Sequence, residues 1–164
     1  RDLLENFGGH TYAAGLSLKE ENLDAFTQRF LKLAADEIIP EQMTPQIDID
    51  AVLDLQDINA KFMSELKKMN PFGPDNQKPV FCSLNVKDYG TSKLVGKELE
   101  HIKLELIDDK SNTPIHGIAF GMHQHNTHIK NMKPFNICYT IEENTYNGNT
   151  SLQLMVKDIK ENDI

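Results

Sequence analysis

Apolar positions along the chain change their spacing near residue 80. Before it, Leu23, Phe26, Phe30, Leu33, Ala34 and Ile38 recur at helical intervals, as do Ile58, Phe62, Leu66 and Met69. The first stripe predicts a core-facing helix of about five turns, opened by the capping box Ser17-Leu18-Lys19-Glu20 and closed by Pro40. The second predicts a helix from about Asn59, and between the two Ile47-Asp48-Ile49-Asp50 alternates like a short edge strand. After residue 80 the period becomes two, predicting strands at 80–95, bent near Gly90, and at 101–108, 115–120, 135–143 and 151–159. Ile102, Leu104 and Leu106 share a face, as do Phe135, Ile137, Tyr139 and Ile141, and Leu152, Leu154 and Val156. Asn147-Gly148 signals a hairpin between the last two runs. A single long interruption, 121–134, separates the third strand from the fourth, where a small oligonucleotide-binding barrel places its helix or long loop. The expected class is α+β: a short helical, α+β N-terminal piece followed by a five-stranded OB-fold barrel.

The change of period falls at Met69-Asn70-Pro71-Phe72-Gly73-Pro74-Asp75-Asn76-Gln77-Lys78-Pro79-Val80-Phe81. Its three prolines fix φ and remove donors, so no helix or central strand can run through it. The expected division is therefore 1–43, a linker at 44–79 and a barrel at 80–164.

Charge sharpens where to look for a polyanion site. Of 164 residues, 17 are Lys or Arg and 25 Asp or Glu, a net charge of −8 that argues against a chain basic all over. Before Pro71 there are 7 basic and 13 acidic residues, and from Pro71 onward 10 and 12, so the rear half can still carry a basic face. Cys82 and Cys138 lie in apolar runs without a CxxC pattern and read as reduced core thiols. No apolar run is long enough for a span and no basic-then-apolar leader opens the chain, so a cytoplasmic protein with no membrane partner is expected. Arg1-Asp2-Leu3-Leu4 lacks an initiating Met and starts as though inside a helix that ends at Gly8-Gly9, which suggests a fragment of a longer chain.

In the octet Gly8-Gly9-His10-Thr11-Tyr12-Ala13-Ala14-Gly15, adjacent glycines can bring backbone N–H groups close to an anion, and His10 can donate to a phosphate. The alternative reading is a helix C-cap followed by a satisfied histidine. Phe7-Gly8-Gly9-His10 with Ala13-Ala14-Gly15 is similar to the signature of the DHH-associated domain of DHH-family phosphoesterases. The blocks Pro71-Phe72-Gly73-Pro74, Val95-Gly96-Lys97, His101-Ile102-Lys103-Leu104, Ile118-Ala119-Phe120-Gly121, Glu142-Glu143-Asn144, Leu152-Gln153-Leu154 and Lys157-Asp158-Ile159 resemble, in order, the terminal part of the RecJ family of single-strand-specific exonucleases.

That resemblance implies a 5′-to-3′ exonuclease of DNA repair and recombination, with single-stranded DNA as partner and single-strand-binding protein or a helicase as further partners. It implies a nucleotide contact at Gly8, Gly9 and His10. It also implies catalytic Mn2+ or Mg2+, but the aspartate and histidine clusters that hold the ion in DHH phosphoesterases are not in this sequence. No cofactor and no catalytic residue is therefore expected within it. On the barrel, Lys93, Lys97 and Lys103 are the expected phosphate partners and Tyr89 and Tyr146 the stacking platforms, each tyrosine having a competing reading as core. His116, His123, His125 and His128 read as a polar surface loop rather than a metal site. Two other classes stay open: a barrel that docks a repair protein, and a small-nucleotide phosphoesterase, which would not require the barrel.

Overall fold

The alternation after residue 80 becomes a ring of strands in the computed structural model, which describes residues 2–146 and 148–162. The strands are β4 (Phe81–Asp88), β5 (Lys93–Val95), β6 (His101–Ile107), β7 (Ile115–Ala119), β8 (Phe135–Tyr146) and β9 (Asn149–Glu161), numbered after β1 (Asn6–His10), β2 (Ala13–Ser17) and β3 (Ala51–Val52). The helices are α1 (Leu23–Glu37), α2 (Ala60–Lys67) and α3 (Asn126–Lys130). β4 pairs with β6 and β8, β6 with β7, and β8 with β9, all antiparallel, while β7 and β9 run parallel. Those five pairings return to their start, giving a closed five-stranded barrel with β5 continuing β4 beyond its bend and β3 added alongside β4.

Strand parity decides what fills it. Ile102, Leu104 and Leu106 of β6, Phe135, Ile137, Tyr139 and Ile141 of β8, and Leu154 of β9 are at most 1% exposed. Inside the interruption between β7 and β8, the short helix α3 sends Ile129 into this core, fully buried.

The bend after β4 is held by Asp88, whose Oδ1 accepts the Ser92 N–H at 3.1 Å, while the Ser92 hydroxyl accepts the Glu105 N–H at 2.9 Å. Asp88 Oδ2 takes no hydrogen bond; Lys130 Nζ stands 3.5 Å away as its counter-ion. Cys82 and Cys138 are both buried free thiols and sit opposite each other on β4 and β8.

The segment before the barrel is tied into it. The short strand expected at 47–50 forms at Ala51–Val52, because Asp50 and Leu53 N–H donate to the Val80 and Cys82 carbonyls at 2.8 Å each, which sets the parallel register. The helix α2 is capped by the Asn59 carboxamide, which accepts from Lys61 and Phe62 N–H, and ends short of the exposed Met69. In the proline turn, Asn76 Nδ2 donates to the Met69 and Pro71 carbonyls.

A buried polar chain completes the tie. The Tyr139 hydroxyl meets the Ser83 hydroxyl at 2.7 Å, and Ser83 donates to the Leu53 carbonyl at 2.7 Å. Burial keeps the Tyr139 phenol protonated far above its ordinary range. Ser83→Ala strands both ends of this chain whereas Tyr139→Phe strands neither backbone group, so in urea titrations Tyr139→Phe should cost about 1 kcal/mol and Ser83→Ala more. Equal midpoints for the two variants would contradict the chain of bonds.

The chain divides into two compact units, Arg1–Ile47 and Asp48–Ile164. In the first, the expected helical start is instead extended: Asn6 to His10 pair with Ala13 to Ser17 as a hairpin, and Glu5 N–H donates to the Ser17 carbonyl. Two adjacent glycines are poor helix formers and, with small partners opposite, suit this close pairing. Arg1 lies outside the described residues. Ser17 belongs to β2 and does not cap a helix; a short 3-10 turn, Glu20–Asn22, intervenes before α1. That helix was expected to face a core, yet none of its residues is buried and Leu23, Phe30, Leu31 and Leu33 are each more than half exposed. One helix and a two-stranded hairpin do not supply the second layer that would cover it.

Candidate nucleic-acid interface

Because Ile102, Leu104 and Leu106 point inward, His101, Lys103 and Glu105 face out, and the ladder extends that outer face over neighbouring strands. Lys93 of β5 lies directly opposite Lys103 of β6, Glu105 opposite His116 of β7, and His116 beside Gln153 of β9. Beyond Gln153, Ser151 pairs with Asn144 of β8. Lys103, His116, Asn144, Ser151 and Gln153 line an open groove of about 370 Å³ across four strands. His116 and Ser151 also border a neighbouring cleft of about 480 Å³, floored by Leu55, Ile58, Ile115 and Leu152 and rimmed by Gln56, Lys110 and Asn112.

The lysines around the barrel are unevenly satisfied. Lys67, Lys68, Lys78, Lys87, Lys110 and Lys130 each pair with a carboxylate. Among the described residues Lys93, Lys97 and Lys103 have no such partner. The Glu105 carboxylate near Lys103 is already engaged by the Thr91 hydroxyl and by His116, 3.5 Å away. Like charges directly opposite on a ladder cost stability unless an anion sits between them. Lys103 in the groove and Lys93 on the strand beside it offer two unneutralised ammonium groups, and the groove adds amide and hydroxyl hydrogen-bonding groups and an imidazole: a surface suited to a phosphate backbone and base edges.

The other expected site residues are dispersed. Lys97 is exposed on the β5–β6 loop, and Tyr89, 51% exposed, follows β4, its N–H bonded to the Glu105 carbonyl. Tyr146 ends β8, and its side chain and Asn147 lie outside the described residues. Gly8, Gly9 and His10 are in the other unit, in extended strand β1 with no left-handed φ at either glycine. A Cβ on Gly9 would lie 2.8 Å from the Ala13 carbonyl and Ala14, so close strand approach is what this glycine supplies here. His10 Nδ1 accepts the Tyr12 N–H at 3.3 Å, leaving Nε2 outward.

Sequence reading missed His116, Asn144, Ser151 and Gln153 as groove residues, since only pairing register brings them together. It also placed the later histidines on a surface loop. His125 and His128 instead fasten α3 to the end of β9, with Nδ1 atoms 2.8 and 3.1 Å from the two Glu161 carboxylate oxygens, and only 18% and 10% of their side chains exposed. Among the described residues no group of three or more His, Cys, Asp or Glu is placed to hold a metal ion. No helix among them is long and apolar enough to cross a membrane.

The profile described as RecJ OB domain matches residues 49–158. The single-stranded-DNA-specific exonuclease RecJ of Bacillus subtilis strain 168 is 29% identical over 96% of this chain, and that of Salmonella typhimurium strain LT2 is 27% identical over 96%. The chain spans 20% and 27% of those relatives' lengths. Among solved structures, RecJ of Thermus thermophilus in complex with Mg2+ superposes with a TM-score of 0.74 at 20% identity, over 99% of this chain and 24% of that one. That likeness is one of fold.

Proposed function

Because the chain belongs to the RecJ OB domain family, we propose that its barrel grips single-stranded DNA on the groove crossing β6, β7, β9 and β8. The observation that carries this is the Lys93–Lys103 pair: opposed on adjacent strands, exposed, and without carboxylates to neutralise them. A phosphate between the two ammonium groups converts a repulsion into two charge-assisted contacts. Gln153, Asn144, Ser151 and His116 are then within the same groove to meet sugar or base edges.

In the wider reading, the chain contributes strand binding to a cytoplasmic, metal-dependent 5′-to-3′ exonuclease of DNA repair and recombination, alongside single-strand-binding protein or a helicase. Hydrolysis belongs to aspartate and histidine clusters that these residues do not contain. Gly8, Gly9 and His10 remain a second nucleotide contact in this reading, and comparing His10→Ala with its parent in the binding assay below measures it.

Fluorescence anisotropy of a labelled oligothymidylate of about 12 nucleotides tests the proposal. Affinity should fall log-linearly with salt, each phosphate contact adding about 0.7 to the slope. Binding indifferent to salt, or stronger for duplex than for single strand, overturns it.

A further inference from the structure

We propose that Phe120, braced by His101, forms a nucleobase-stacking subsite beside the lysine pair; the inference rests on the single-strand reading above. Phe120 directly follows β7, shares the outer face with His116 and Ile118 by strand parity, and is 54% exposed. It is braced there by His101, an outer-face residue of β6, whose ring meets it edge-on at 4.9 Å between centroids and 81° between planes.

His101 is itself held at both nitrogens. Nδ1 accepts the Gly121 N–H at 3.0 Å, so the ring hydrogen sits on Nε2, which points to Glu100 Oε1 at 3.4 Å. The same Glu100 carboxylate accepts the Glu98 N–H at 2.9 Å. It packs where only glycine fits: Gly96 has φ +100°, and a Cβ there would lie 2.5 Å from Glu100 Oε2. Carboxylate, imidazole and loop thus fix the Phe120 ring before any ligand arrives, with Lys97 exposed on the same loop.

Register sets the spacing. His101 lies two residues from Lys103 along β6, about 7 Å, and its ladder partner Val95 lies two residues from Lys93. A strand whose phosphate sits between Lys93 and Lys103 can therefore lay a neighbouring base on Phe120. An aromatic face accepts any base, so this subsite adds affinity without sequence preference.

The test uses the 164-residue chain with oligothymidylate and with the same strand carrying abasic sugars throughout. Phe120→Ala should weaken oligothymidylate binding about tenfold and leave the salt slope unchanged, since no charge is removed. Phe120→Trp should restore affinity, and the abasic strand should bind parent and Phe120→Ala alike. Because Phe120 is exposed, circular dichroism and melting should match the parent for both variants. If Phe120→Ala binds oligothymidylate like the parent while Lys93→Ala and Lys103→Ala lose affinity, the subsite is wrong and the groove stands. If neither the lysine variants nor Phe120→Ala weakens binding, both readings fall. Equal losses on the two strands would show that Phe120 shapes the loop without stacking, which also overturns the subsite.

Discussion

Replacing Lys93 and Lys103 together by glutamine is expected to weaken single-strand binding about a hundredfold at low salt, by removing two charge-assisted contacts worth about 1.5 kcal/mol or more each. The slope of log affinity against log salt should fall by about 1.4, since each lost phosphate contact removes about 0.7. Stability should move the other way. The two ammonium groups face each other without a counter-ion, so neutralising them relieves a repulsion of a few tenths of a kcal/mol and the melting temperature should hold or rise. Arginine at both positions should keep the affinity. A double variant that is more stable and binds as well as its parent would show that the pair is merely a poorly optimised patch of surface.

Asp108→Ala should produce the largest loss of stability among the polar substitutions considered, about 3 kcal/mol. One carboxylate oxygen accepts the Leu55 N–H at 2.8 Å, and the other accepts Lys110 N–H at 3.0 Å and Ser111 N–H at 2.6 Å. These bonds close the β6–β7 turn and attach the preceding segment to the barrel in one group. Asn is a poor replacement, because its NH2 would confront a donor on one side.

Burial alone would raise the Asp108 pKa, but the N–H groups of Leu55, Lys110 and Ser111 and the Ser111 hydroxyl outweigh it, leaving the carboxyl below its ordinary 3.8. Burial likewise opposes, and the Ser92 and Gly90 groups together with Lys130 overcome, the same change at Asp88. A carboxylate with a depressed folded pKa contributes stability that is complete above the unfolded value and lost as pH falls through the folded one. Chemical denaturation from pH 6 downward should therefore show an acid limb beginning near pH 4 that is shallower in Asp108→Asn. Superimposable limbs would mean that Asp108 titrates alike folded and unfolded.

How much of this could be read beforehand depended on where the information is local. Leu104 and Ile137 declare the barrel because strict alternation has only one buried solution, and the interruption at 121–134 is located by the same logic. Lys93 and Lys103 were legible as single cations. Their opposition was not, since it follows from the bend that Asp88 and Ser92 hold at the end of β4. His116 and Gln153 come together only through the parallel pairing of β7 with β9, two strands far apart in the chain, and no local pattern foretells it. Register of this kind is set by closure of the whole ring. At the N-terminal end, Gly8-Gly9 reads as a helix stop or an anion-binding turn, and the strand it forms instead depends on Gly15 and Ala14 across the hairpin.

The strand β3 has a mechanical meaning. It runs parallel to β4, and its attachments, the Asp50 N–H to Val80 and Leu53 N–H to Cys82 bonds with the Leu55 N–H to Asp108 bond beyond them, lie across the chain direction one after another. Tension entering along the chain from the side of Asp48 would load these bonds in shear, several at once, instead of peeling them singly. A barrel moored in this way keeps its own core unloaded when the preceding segment is pulled.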